Sequence, residues 1–134
     1  MNELPSGIND ERLSESARRK RIPVASGCVD YFPDALEAVA FLSWVGNEKH
    51  NPGEPLHDAR GKSQDDADAL VRHLKDRGKF DIVEAADGRR FIVRHSAAVA
   101  WRSLRLLQRE IEADGAALAR GARLPPPATT QEKE

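Results

Sequence analysis

A mainly α fold with one short β-hairpin before its last main helix is what this sequence predicts, and three observations carry that reading. Apolar residues recur at helical spacing in three stretches, beginning near Pro33, Ser63 and Ser96. Polar segments rich in proline and glycine separate the stretches. Between the second and third, Phe80, Ile82 and Val83 precede Asp87-Gly88, and Phe91, Ile92 and Val93 follow it. An Asp-Gly pair between β-branched and aromatic residues is a hairpin signal.

The first helix is expected to start at Pro33, because proline lacks only an N–H that the first helical turn leaves unpaired anyway. Leu36, Val39, Ala40 and Ser43 form its stripe, with Asp34, Glu37 and Glu48 off it. Gly46-Asn47 is the expected end. Were the helix to run on, Glu37 and Glu48, eleven residues apart, would share one face. Residues 49–62 read as a loop, since two prolines and two glycines oppose a regular element. Ser63 is the expected cap of the second helix, with Asp66 as its capping-box partner. Ala67, Leu70, Val71 and Leu74 make that helix's apolar stripe, and Arg77-Gly78 ends it. The third helix is expected over Ser96 to Asp114. Ala97, Ala100, Trp101, Leu104, Leu107 and Ile111 would be buried, Gly115 would be the stop, and residues 116–122 would add a last turn or two.

The chain has 134 residues, enough for one domain with a modest core. Residues 1–21 read as a flexible basic arm ending in Arg18, Arg19, Lys20 and Arg21. Residues 22–122 read as the folded domain, and 123–134, opening on a run of prolines after Leu124, as a disordered tail. No internal repeat is visible. Formal net charge is -1, so no global basic field draws the chain to nucleic acid. The single cysteine, Cys28, excludes an internal disulfide framework, fits a reducing cytosol, and is expected to be a small buried residue. No apolar run approaches the roughly 20 residues that span a bilayer. The acidic, non-apolar N-terminus is unlike a secretory signal, so a cytoplasmic protein is expected. Three amphipathic helices leave apolar surface that one copy would not cover. Trp44 and Trp101 are candidates for self-association into a dimer or tetramer.

Carboxylates occur at helical spacing. Asp34 and Glu37 are three apart on the first helix, Asp65 and Asp68 on the second, and residues at i and i+3 project from one side. Two such helices side by side could aim four carboxylates at one point. A hard cation, Mg²⁺ or Mn²⁺, would neutralise them and could grip a triphosphate. The structural alternative stays open. Asp65 and Asp66 complement a helix dipole, and Asp68 and Arg72 make an ordinary i,i+4 pair. The loop gathers Lys49, His50, His57, Arg60 and Lys62, which could close over phosphates or lie solvated. His73 and His95 stand near helix ends, where histidines commonly serve as structural hydrogen bonders. No histidine spacing matches a zinc motif. There is no glycine-rich phosphate cradle and no serine-hydrolase signature.

Four strings stand in order. They are Asp30-Tyr31-Phe32-Pro33-Asp34-Ala35-Leu36-Glu37-Ala38-Val39-Ala40, then Gly46-Asn47-Glu48-Lys49-His50-Asn51-Pro52. Asp68-Ala69-Leu70-Val71-Arg72-His73 follows, and Arg94-His95-Ser96-Ala97-Ala98-Val99-Ala100-Trp101-Arg102 is last. Together they resemble the phage and bacterial dATP/dGTP diphosphohydrolases, the relatives of MazZ, a family similar to the MazG-type all-α nucleotide pyrophosphohydrolases. The likeness covers about residues 22–112. It implies a MazG-like helical bundle and metal-dependent cleavage between the α and β phosphates of a purine deoxynucleoside triphosphate, in a bacterial cell or phage-infected host. It also implies a Glu-x-x-Glu pair followed by a Glu-x-x-Asp pair. Here Asp34-x-x-Glu37 and Asp65-x-x-Asp68 stand in that order, with Asp at two positions where the pattern has Glu. Asp58, Asp66 and Ala98 also depart from the family.

The expected site follows from the resemblance. Glu37, Asp65 and Asp68 are the catalytic acids, and with Asp34 and Glu48 they hold Mg²⁺ or Mn²⁺. Lys49, His50, Arg60, Arg72, His73 and His95 bind the substrate, and Trp44 or Phe41 could stack on the base. The competing reading is a non-catalytic helical module that binds a nucleotide, or nucleic acid through its basic arm and loop.

Overall fold

The structure, a computed structural model, describes residues 4–125. It is mainly helical, as the periodicity predicts. The chain divides into two compact units, Met1–Glu37 and Ala38–Glu134.

In the first unit, Arg12 clasps Asp10 at 2.9 Å, and Ser6 donates to the same carboxylate. Helix α1, Glu15–Lys20, follows; its cap Ser14 accepts the Ala17 N–H at 3.1 Å. The basic run expected in a flexible arm is thus the last turn and cap of a short helix, where cations complement the exposed carbonyls. A π-helical turn spans Ala25–Val29. Cys28 within it is exposed, against the expectation of a buried thiol, because neither α1 nor this turn buries any residue.

Helix α2 is Pro33–His50. It starts where expected but runs through Gly46 and Asn47. The Asn51 N–H continues the ladder to the Asn47 carbonyl at 2.8 Å, and the Ala86 N–H caps the Glu48 carbonyl at 3.2 Å. The Asn47 side chain donates to the Glu54 carbonyl at 2.8 Å, so a residue that often stops helices here pins the following turn. The positive φ needed to leave the helix falls at Gly53 instead, at 82°.

In the second unit, the segment expected to be all loop contains strand β1, Asp58–Ala59, which pairs in parallel with β4, Ala122–Arg123. The pairing uses the Asp58 N–H to the Gly121 carbonyl at 2.8 Å and the Arg60 N–H to the Arg123 carbonyl at 2.9 Å. Proline and glycine flank this bridge without entering it. The expected extra helical turn over 116–122 is therefore absent, and Arg123, placed by sequence in the tail, is in a strand. The remainder of the expected tail, 126–134, lies outside the described residues.

Helix α3 is Asp66–Lys75, with Asp65 and not Ser63 at the N-cap position and no side-chain capping bond. The capping box does not form, because the Asp66 carboxylate turns to arginines of the last helix. The hairpin forms as predicted. Strands β2, Phe80–Glu84, and β3, Arg90–Arg94, pair Ile82 with Ile92, and Gly88 supplies the positive φ of 88°. Helix α4, His95–Ala113, packs chiefly on α3.

The core is small: Val45, Ala69, Ala85, Val93, Ala97 and Ala98, with Asp66 and Arg105 buried among them. The expected stripes are corrected accordingly. Val71, Leu74, Leu104, Leu107 and Ile111 are exposed. α3 buries Asp66 and Ala69, and α4 buries Ala97, Ala98 and Arg105. An arginine network takes the interface that the pattern assigned to leucines, which turns those leucines outward.

Candidate functional site

This network of arginines and carboxylates lies at the α3–α4 interface. Arg102, Arg105 and Arg109 stand at i, i+3 and i+7 of α4, one helical face. All three converge on Asp66 at the start of α3, at 3.0, 2.7 and 2.9 Å. Arg105 also donates from Nε to Asp58 at 2.9 Å and from Nη2 to the Ala59 carbonyl at 3.2 Å. Burial pushes the Asp66 carboxyl up, but hydrogen bonds from Arg102 and Arg109 and the charge of Arg105 outweigh it. The net shift is downward and Asp66 is ionised. The sequence reading missed these arginines. Their spacing was legible, but the apolar residues between them drew the buried face to the wrong side.

Arg60, expected to bind phosphate, belongs to this network instead. Its Nε and Nη2 donate to the two Glu112 oxygens, both at 2.9 Å, and its Nη1 donates to Asp58. Hydrogen bonds from Arg60 and from the Ala119 N–H hold the Glu112 carboxyl down at about 2. With its fork occupied twice over, Arg60 has a structural role.

The other expected residues divide by environment. Asp34, Glu37 and Asp68 are exposed, and none makes a side-chain hydrogen bond or ion pair among the described residues. Asp65 stands at the N-cap position of α3, and hydrogen bonds from Ser63 and Arg72 hold its carboxyl at about 2. Arg72 therefore pairs with Asp65 at 3.0 Å, and the expected Asp68–Arg72 surface pair does not form. Glu48 is engaged by Arg89, which also bonds Asp87. Lys49 and His50 are exposed in the last turn of α2, and His57 bonds the Pro55 carbonyl at 3.0 Å. Phe41 and Trp44 stack on each other with centroids 6.0 Å apart. The edge contact of Trp44 with Phe91, at 5.2 Å, makes both part of the α2–hairpin packing.

His73 of α3 and His95 of α4, twenty-two residues apart, are brought together, Nδ1 to Nδ1 at 3.0 Å. Among the described residues, no three carboxylate, imidazole or thiol side chains lie close enough to hold one metal ion. No protein-family model, curated protein or solved structure matches the chain.

Proposed function

We propose that this chain hydrolyses purine deoxynucleoside triphosphates, dATP or dGTP, to the monophosphate and pyrophosphate, with a divalent cation as cofactor and a MazG-like helical bundle as scaffold. One observation supports it beyond the resemblance. The buried acid Asp66 and the half-buried Asp58 and Glu112 are neutralised by arginines, whereas Asp34, Glu37 and Asp68 are left exposed, with no cationic partner among the described residues. Unneutralised carboxylates suit a hard cation in kind.

In number they fall short, since no three donors converge among the described residues. That pattern suits a cation that arrives on the triphosphate. Mg²⁺ is commonly held by one or two carboxylates, with phosphate oxygens and water filling the other positions. Asp68 on α3 and Asp65 at its N-cap, both in the second unit, are the residues to hold it. The bound ion would supply charge neutralisation and a more acidic water. Lys49, His50 and Arg72 are the exposed cationic or potentially cationic groups available to phosphate oxygens.

Incubation of the protein with each common nucleoside and deoxynucleoside triphosphate, with Mg²⁺ or Mn²⁺, tests the reading. Metal-dependent pyrophosphate release from dATP or dGTP, lost in Asp68→Asn, is the expected result. No release by folded protein sinks it.

The lack of three converging donors also favours a second reading, a non-catalytic module that binds nucleotide or nucleic acid. Deleting residues 1–21 separates the two. Nucleic-acid binding through the basic helix α1 is lost in the second reading, and hydrolysis survives in the first. A homo-oligomer accompanies either reading, since Phe80, Ile82 and Ile92 share the outer hairpin face and are more than half exposed.

A further inference from the structure

The Nδ1 atoms of His73 and His95 lie 3.0 Å apart and the ring centroids 5.3 Å apart, so the two imidazoles stand head-on along one line. Facing nitrogens at that distance cannot both present lone pairs, nor can both present hydrogens. One ring donates its Nδ1–H and the other accepts at Nδ1. A first added proton goes to Nε2 of the donor ring and leaves this bond intact. A second puts a hydrogen on both facing atoms and two positive charges side by side.

The α3–α4 interface therefore has two polar fastenings with opposite responses to acid. At one end, Asp66, the first residue of α3, is held by Arg102, Arg105 and Arg109. Against its burial, hydrogen bonds from Arg102 and Arg109 keep the Asp66 carboxyl below the ordinary carboxylate range, so this end stays ionised as pH falls. At the other end, His73 in the last turn of α3 meets His95, the first residue of α4. The hairpin runs between these two histidines. Its root is closed here by the His95 N–H, which donates to the Lys79 carbonyl at 3.2 Å.

We propose that the His73–His95 hydrogen bond is an acid-operated latch: protonation of both rings parts α3 from α4 at the hairpin end, while the Asp66 end stays joined.

The surroundings make the second proton costly while the latch is closed. Both histidines are half-buried. Burial, then the neighbouring His95, pushes His73 below the ordinary imidazole range. Arg102 of α4 and Arg72 of α3 push the same way, and Asp81 of β2 opposes them. A histidine whose folded pKa is lowered takes up its proton more readily once the interface opens. The closed form is thus at full strength above the ordinary value of 6.5, and weakens as pH falls below it toward the lowered folded value. Ala69, Val93, Ala97 and Ala98 are buried within four residues of one histidine or the other, so the parting wets part of the small core.

The test uses the full chain and reads the fold, so its outcome is separate from that of the proposed hydrolysis. Amide-exchange protection, corrected for the pH dependence of the exchange chemistry, is measured at pH 7.5 and pH 5.5. Protection over residues 69–75 and 93–98 should fall about tenfold or more, and protection over 102–109 should hold. His73→Gln and His95→Gln should each abolish the fall, since an uncharged amide can accept from a protonated partner. His50→Gln combined with His57→Gln should keep it. Nitrogen NMR of the imidazoles in the unaltered protein at pH 7.5 should show one ring of the pair protonated on Nδ1, which decides the matter even where a variant does not fold. Equal protection at the two pH values, a fall that persists in either single variant, or a lone pair on Nδ1 of both rings would overturn the proposal.

Discussion

Arg105 on α4 donates to Asp66 on α3 at 2.7 Å, with the Asp66 side chain wholly withdrawn from solvent and that of Arg105 3% exposed. A charge pair in that position is a requirement the fold has placed on itself. Neither charge is tolerable without ionic partners, because a lone buried charge costs several kcal/mol; Asp66 is also shared by Arg102 and Arg109, and Arg105 also pairs with Asp58.

Replacing Arg105 with Met should destabilise the protein, by less than the roughly 3–5 kcal/mol of a wholly stranded charge, since Asp66 keeps Arg102 and Arg109. Combining it with Asp66→Leu should cost less than the sum of the two single changes, since the double variant leaves no buried charge unpaired. Urea unfolding of the four proteins in this cycle measures it. Strict additivity would show that the pair is not coupled.

Arg60→Ala should act on stability and on acid sensitivity, leaving the apparent affinity for any triphosphate unchanged. Glu112 is held at about 2 against an ordinary 4.5, chiefly by Arg60. A carboxyl lowered on folding contributes stability that is complete above its unfolded pKa and is lost as pH falls from about 4.5 toward about 2. The variant should show a shallower loss over that window. Unfolding midpoints from pH 6 to pH 2 decide it, and an unchanged slope would detach Arg60 from Glu112.

Asp68→Asn should leave stability within about 0.5 kcal/mol of the parent, as expected for an exposed residue without partners. Asp66→Asn, two residues away, should be strongly destabilising. Under the proposed function Asp68→Asn also abolishes hydrolysis, so paired thermal melts and pyrophosphate assays distinguish a lost reaction from a lost fold.

Ile92→Glu on the outer hairpin face should shift a dimer or tetramer toward monomer without unfolding it. Ile92 is 65% exposed and stands cross-strand from Ile82. Light scattering after size-exclusion chromatography gives the mass. A mass unchanged by the substitution places any assembly contact elsewhere.

Where the sequence was legible, the signal was local. Pro33 and Asp87-Gly88 declare their roles within three or four residues, and α2 and the hairpin begin and turn there. Where it was not, a distant partner decided. Asp66 looks like a capping residue until three arginines some forty positions later claim it. Gly46-Asn47 looks like a helix end until the hairpin's Ala86 caps the following turn. Leu104, Leu107 and Ile111 satisfy a helical period, but so do Arg102, Arg105 and Arg109, and hydrophobicity alone favours the wrong set. Of the expected site, Arg60 likewise has distant partners, Glu112 above all, that its place in the loop does not announce. His73 and His95 could not be paired from sequence, since their meeting depends on how α3 and α4 pack.

The parallel bridge between Asp58–Ala59 and Ala122–Arg123 has one more implication, for how this chain can be cut and rejoined. The stretch carrying α3, the hairpin and α4 leaves from β1 and returns to pair beside it, so the bridge makes a neck at the base of a lobe that touches α2 again through Ala86 and Phe91. Such a lobe should tolerate new termini at its exposed hairpin turn around Gly88, because the neck holds the severed halves in register. It should also form late in folding, since its closing contact spans most of the second unit and must wait for the helices between.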